Sequence, residues 1–253
     1  MGDQAVHPVA EITPGLTQWQ RVVDTFTAPS KTFNDIKRGN RSWWLPYVIL
    51  CVVGYILFAA VYTKIGMRTV SENQIRMDPK AEERMAQLTP EQRETQMKIS
   101  VGFTEGIFIG GPVVTLIIFA IGSLVLWGTV NFVFGGKATF GGVFAAWVYA
   151  SLPSVIKTLL GVIAIYAGTA PDSFNIRNFA PTNIGAFLSP ADTNKVLYSL
   201  ATSIDFVTVW CLVLMGIGVS IIAGIKRSSG YFAVFGWWAV MIIGGVIFAA
   251  ITS

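Results

Sequence analysis

Five long stretches of the chain carry almost no charged side chains. Residues 42–63, 106–136, 206–225 and 228–253 contain no Lys, Arg, Asp or Glu, and residues 138–166 contain one charge, Lys157. Because about 20 apolar residues in a helix cross the roughly 30 Å hydrocarbon core of a bilayer, each stretch is long enough to span it. The pattern predicts an all-α polytopic membrane bundle of five transmembrane helices and excludes water-soluble folds.

The ends of the predicted spans are marked by aromatic residues and by short basic loops. Trp43, Trp44 and Tyr47 form an aromatic belt where the first span begins. Lys137 and Lys226 lie in tight loops, which make the flanking spans antiparallel neighbours. Small residues let membrane helices pack closely, so the Gly216-xxx-Ser220-xxx-Gly224 run favours a packed fourth span. The predicted spans are residues 44–63, 107–134, 142–166, 205–225 and 231–251.

The polar remainder divides into a tail and three helical segments, and residues 17–253 are predicted to form a single membrane domain. Residues 1–16 are predicted to be a disordered tail. Residues 17–39 combine aromatic and basic side chains in a pattern typical of one or two amphipathic interfacial helices, with a soluble docking helix as the alternative. The loop from Lys64 to Glu105 predicts helices at 79–87 and 90–103. In the loop 167–204, a helix from 190 to about 202 is predicted to lie flat on the membrane.

Basic residues predict the orientation of the chain. The N-terminal segment and the two short loops are rich in Lys and Arg, which favour the cytoplasmic side. Five spans then place the N-terminus in the cytoplasm and the C-terminus outside, in the inner (cytoplasmic) membrane of the cell. The loop from Lys64 to Glu105 is an exception to this rule, since its seven basic residues are matched by seven acidic ones.

Composition agrees with a membrane protein and points to no soluble partner class. The chain is 53% hydrophobic and 13% charged, whereas soluble domains carry about 25% charged residues. Its net charge of +4 is too small to imply nucleic acid. Cys51 and Cys211 lie in different predicted spans at different depths, so no disulfide is predicted.

Candidate chemistry within the membrane is confined to three ionisable residues. Lys157 lies in the third predicted span, and its candidate partners are Glu105 and Asp205, at the outer ends of the second and fourth spans. An ionisable residue in a span is a functional candidate by default. The three are predicted to form a polar cluster that binds an ion, a proton or a lipid headgroup. The alternatives are a structural ion pair and a lysine that snorkels toward water.

No catalytic, metal-binding or cofactor-binding motif accompanies this cluster. The one histidine, His7, lies in the predicted tail, and the sequence has no Gly-x-Ser-x-Gly, His-Glu-x-x-His, Cys-x-x-Cys or phosphate-loop pattern. We therefore expect no enzymatic activity, no catalytic residue, no metal and no cofactor.

Several short motifs, in order, resemble a known family. They are Phe26-Thr-Ala-Pro-Ser-Lys-Thr-Phe33 before a Trp-Trp-Leu-Pro entry, Leu-Thr-Pro-Glu-Gln at 88–92, Tyr149-Ala-Ser-Leu-Pro153, and Ser203-Ile-Asp-Phe-Val-Thr-Val-Trp210. Across residues 20–251 the chain resembles the bacterial branch of the Yip1 family. The resemblance implies five spans and a cytoplasmic N-terminus. Eukaryotic relatives imply adaptors that bind Rab GTPases, but the long first and third loops here depart from their compact pattern.

Two functional classes remain open from the sequence. The first is a scaffold or membrane-organisation protein, an accessory subunit of a larger complex, whose partners are the lipid bilayer and other membrane proteins or further copies of itself. The second is a small transporter or channel that uses Lys157, Glu105 and Asp205. The two classes differ in whether a water-filled path lined by these residues crosses the bundle.

Overall fold

The computed structural model describes residues 15–189 and 192–251, so most of the predicted tail lies outside the described residues. This part of the chain is built from α-helices. The helices are α1 (Gln18–Thr27), α2 (Pro29–Lys37), α3 (Trp44–Ala60), α4 (Met67–Arg76), α5 (Pro79–Ala86), α6 (Pro90–Gly128), α7 (Phe140–Ala150), α8 (Ser154–Tyr166), α9 (Lys195–Ser203), α10 (Phe206–Ala223) and α11 (Arg227–Ile251). Most of them are joined by short turns, and a long loop connects α8 to α9.

The five predicted membrane spans are confirmed. Five helical segments of the described chain are long and apolar enough to cross a bilayer: Trp44–Ile65, Pro90–Val133, Phe140–Tyr166, Phe206–Ala223 and Arg227–Ile247. We call the face of the bundle that carries the turns 134–139 and 224–226 the hairpin side. The opposite face, which carries residues 66–104 and 167–204, is called the loop side.

The fourth span, α10, is the central helix of the bundle. More than half of its most apolar window is buried, compared with 17% for the second and fifth spans. A Cβ atom on Gly230 would lie 2.5 Å from the carbonyl oxygen of Gly216, so α10 and α11 cross in close contact. Gly224 ends α10 in the left-handed conformation, with φ +70°. The small residues predicted to pack the fourth span therefore do so.

The N-terminal segment forms two helices, α1 and α2, which pack against each other as a helical hairpin. Phe33 and Ile36 of α2 are fully buried in the core of the bundle. The Phe33 ring fits against α10 because Gly218 presents no side chain there: a Cβ atom at that position would lie 2.9 Å from the ring. Trp19 and Val23 of α1 remain exposed. The interfacial prediction thus suits α1, whereas α2 is part of the bundle.

Residues 67–104 form a helical platform on the loop side. The helix α6 begins at a capping box of Thr89 and Gln92, as predicted, and runs without a break into the second span. Its 39 residues extend about 58 Å at 1.5 Å per residue, so its first turns lie beyond the membrane. Arg68 of α4 donates to Glu94 of α6 over 2.9 Å, and this hydrogen bond lowers the pKa of the Glu94 carboxyl. The helix α4 was not predicted.

The platform is attached to the second long loop, residues 167–204. Asn73 of α4 donates to the carbonyl oxygens of Pro171 and Phe174, over 2.8 Å and 2.9 Å. The loop continues through short 3-10 turns to α9. The predicted start of this helix, residue 190, lies outside the described residues. The described helix begins at Lys195 and is capped by Asn194.

Candidate polar site in the loop-side half of the bundle

Lys157 lies one turn into α8, just after a break in the third span. Pro153 has no N–H group to donate, so the helical hydrogen bond to the Tyr149 carbonyl is missing at this position. The chain instead turns tightly: the amide of Leu152 donates to Tyr149, and the amide of Ser154 donates to Ser151, each over 3.0 Å. The break changes the direction of α8 relative to α7, and Lys157, in the first turn of α8, reaches Asp205. The carbonyl of Tyr149 is thus satisfied within its own segment.

Asp205 lies at the loop-side end of α10 and caps that helix. Its carboxylate accepts the backbone N–H of Thr208 over 2.8 Å, as a capping aspartate does at a helix N-terminus. It also accepts the hydroxyl of Thr182, and the backbone N–H of Phe206 donates to the Thr182 carbonyl over 3.0 Å. A single carboxylate thereby connects α10 to the loop 167–204.

Lys157 and Asp205 form an ion pair, with 3.1 Å between Nζ and Oδ2. The Asp205 side chain is 3% exposed and that of Lys157 is 25% exposed. The ammonium also lies 5.9 Å from the centre of the Phe179 ring. That ring packs directly on α8 because Gly161 leaves room for it; a Cβ atom there would lie 2.4 Å from the ring. The pair joins the third span, the fourth span and the loop between them.

The surroundings of Asp205 favour its ionised form. Burial raises the pKa of its carboxyl, but the hydrogen bonds from Thr182, from the Thr208 amide and from Lys157 outweigh burial and lower the pKa overall. The Asp205 carboxyl is therefore ionised where it meets Lys157. Lys157 donates to Asp205, and Asp205 also accepts from Thr182 of the loop.

Glu105 does not take part in this pair. It is half-buried on α6, and among the described residues no ion pair links it to Lys157. The neighbouring residue Thr104 faces α4 instead, with its hydroxyl 3.4 Å from that of Ser71. The prediction of contact is therefore correct for Asp205 and wrong for Glu105, while binding of a ligand by any of the three stays a prediction.

A second buried ion pair, which the sequence reasoning missed, lies in the N-terminal hairpin. Arg21 of α1 and Asp35 of α2 are 1% and 4% exposed, with 3.7 Å between Nε and Oδ2. Arg21 also donates to the carbonyl of Asn40 over 2.6 Å and lies 5.3 Å from the centre of the Tyr149 ring. Each residue of the pair is seven positions from Ala28, where the hairpin turns. That symmetry of opposite charges about a helix break is the signal in the sequence.

A cavity of about 610 Å³ lies among α6, α7, α10 and α11. Its walls are mainly aromatic and aliphatic side chains, with Ser151, Thr208 and Cys211 as the polar exceptions. Lys157, Asp205 and Glu105 do not line it. Cys211 and Cys51 are both free thiols. The described residues hold no group of three or more His, Cys, Asp or Glu side chains suited to a metal ion.

Comparison with known families agrees with this architecture. The family model for the Yip1 domain matches residues 23–248, which is nearly the whole chain. No curated protein and no solved structure matches the chain.

Proposed function

The chain belongs to the Yip1 domain family, and on that premise we propose that it is a non-enzymatic scaffold or membrane-organisation protein. One observation carries the proposal: Lys157 and Asp205 are bonded to each other and to the loop 167–204, and neither lines the cavity among the spans. A transporter that used these charges would expose them along a polar passage. Here they fasten the loop-side surface to the bundle.

The loop-side platform is the surface that we propose for a protein partner. Its base is fixed by the Arg68–Glu94 ion pair and by the hydrogen bonds of Asn73. The helix α5 lies on this base with no buried residue. It presents Lys80, Glu82, Glu83 and Arg84, a mixed-charge surface, and Arg93 of α6 donates to the Ala86 carbonyl at its end over 2.7 Å. Such a surface suits a polar contact with the extramembrane part of another membrane protein.

Photo-crosslinking tests this assignment in the native membrane. A photoreactive amino acid at Glu83 is expected to give one discrete adduct that contains a second protein, because Glu83 is exposed on α5. The same group at Ser228, exposed on the hairpin side, is the matched control and is expected to give no such adduct. Equal adducts at both positions, or none at Glu83, would contradict a partner site on α5.

We propose that the chain lies in the inner membrane of the cell and that the hairpin side faces the cytoplasm. Three basic segments meet on that face: Arg227 donates to Ser30 over 2.9 Å, the amide of Lys137 donates to Ala223 over 3.0 Å, and the Arg41 side chain lies beside Gly141. Positive charge gathered at one face favours the cytoplasmic side.

Thiol labelling tests the orientation. In a chain without its native cysteines, a membrane-impermeant maleimide added outside intact cells is expected to label cysteines introduced at Glu83 and Ser173, both exposed on the loop side. It is expected to leave cysteines at Lys137 and Ser228 unmodified until the membrane is broken. Labelling of position 137 in intact cells would reverse the orientation.

A further inference from the structure

The cavity among α6, α7, α10 and α11 is shaped by specific contacts. The Trp147 ring lies directly on α6 because Gly122 has no side chain; a Cβ atom there would lie 2.3 Å from the ring. The Trp237 indole donates to the Thr129 hydroxyl over 2.9 Å, which fixes a second ring of the wall. A wall with two positioned indoles is preformed, as the walls of small-molecule sites generally are.

The position of the cavity along the spans shows which part of the bilayer surrounds it. On α10 its wall runs from Thr208, in the first turn at the loop side, to Met215, near the middle of the helix. Seven residues of helix rise about 10 Å, which is most of the roughly 15 Å thickness of one leaflet's hydrocarbon. On α6 the wall runs from Ile118 to Leu126 and on α11 from Val234 to Met241, in the middle of each span. The cavity therefore lies near the middle of the hydrocarbon layer, where acyl chains are the surrounding medium.

Neither water nor empty space is a stable content for this cavity. Buried water needs two to four polar partners. Apart from the tryptophan indoles, the polar side chains of the walls are those of Ser151, Thr208 and Cys211. A void would forfeit the dispersion contacts of every side chain that lines it. The volume of about 610 Å³ falls within the range of about 300–1,000 Å³ that holds one small ligand.

We propose that this cavity binds one acyl chain of a phospholipid. The chain enters between the spans and lies along α10 between Thr208 and Met215, against the Trp147 and Trp237 rings. The headgroup lies outside the cavity, at the membrane surface. This site is independent of the partner surface proposed on α5.

A cavity-filling variant tests the proposal. Val125 lines the cavity, whereas the adjacent residue Leu124 is exposed on the same helix and does not line it. The wild-type protein, purified in mild detergent and analysed by native mass spectrometry, is expected to retain about one phospholipid per chain. V125F is expected to lose at least about tenfold of that occupancy, and L124F is expected to keep it. Equal retention by both variants would overturn the proposal.

The native thiols give a second measurement, which needs only conservative cysteine-to-serine variants. In the C51S protein, addition of dioleoyl-phosphatidylglycerol vesicles to delipidated protein is expected to slow the reaction of Cys211 with N-phenylmaleimide several-fold. In the C211S protein, Cys51 on α3 is the control and is expected to react at an unchanged rate. Equal slowing at both thiols would show non-specific solvation by lipid. A disulfide between two copies at Cys211 would assign the cavity to self-association; either result overturns the proposal.

Discussion

Replacing Arg21 by methionine is expected to lower the free energy of unfolding by about 3–5 kcal/mol. The change leaves the Asp35 carboxylate, 4% exposed, with hydrogen bonds from Leu16 and Asn40 but with no positive charge beside it. The R21M/D35N double variant is expected to recover much of the loss because it removes the stranded charge. Unfolding in mixed micelles of increasing SDS content, followed by tryptophan fluorescence, measures both.

A matched control separates loss of the buried pair from loss of any basic side chain. Lys31 lies on the same hairpin but is exposed, so K31M is expected to change the free energy of unfolding by less than about 0.5 kcal/mol. Arg21→Lys is expected to be nearly as harmful as Arg21→Met, because an ammonium cannot reach Asp35, Asn40 and the Tyr149 ring together. Full stability of R21K would contradict this role of the guanidinium.

Replacing Lys157 by methionine is expected to lower the free energy of unfolding by about 3 kcal/mol, near the lower end of the range for a broken buried pair. The loss is smaller than at Arg21 because Lys157 is partly exposed and Asp205 keeps the Thr182 and Thr208 bonds. In K157M/D205N, asparagine still caps α10, and part of the loss is expected to return. K80M, at an exposed site on α5, is the control.

The dependence of this stability on pH has a defined sign. The pKa of Asp205 is lower in the folded protein than in the unfolded chain, so the pair stabilises the fold fully above about pH 4. Its contribution is lost as the pH falls through the folded-state pKa. Acid titration of wild type and K157M/D205N is expected to show the wild-type advantage disappear at low pH. If K157M and K157M/D205N unfold alike at neutral pH, the pair is not stabilising.

The spans could be predicted because lipid imposes a local rule on the sequence. Exclusion of charge over about 20 residues is visible without tertiary information, and all five segments were found. The contact between Lys157 and Asp205 was also predictable, since both map to the same depth of the bilayer. Glu105 maps there as well, but its neighbour Thr104 faces α4, and consecutive helical residues point about 100° apart. Depth alone does not give the direction of a side chain.

The entry of α2 into the bundle was not predicted, because the contacts that define its position are distant in sequence. Phe33 and Gly218 meet across 185 positions, and nothing local distinguishes a helix that rests on a membrane from one that enters the bundle. The buried face of α2 contains Thr32 and Asp35, which read as surface residues until Arg21 is placed opposite. Buried charge pairs of this kind are recognised only when both partners are located.

The neutral double variant K157M/D205N gives the most direct test of the central claim, that these charges hold the loop-side surface in place on the bundle. The measurement is the Glu83 photo-adduct in native membranes. If the pair is structural, the adduct is expected to be lost or weakened in K157M and restored toward the wild-type yield in the double variant. A double variant that unfolds like the wild type and yet forms no adduct would contradict the claim.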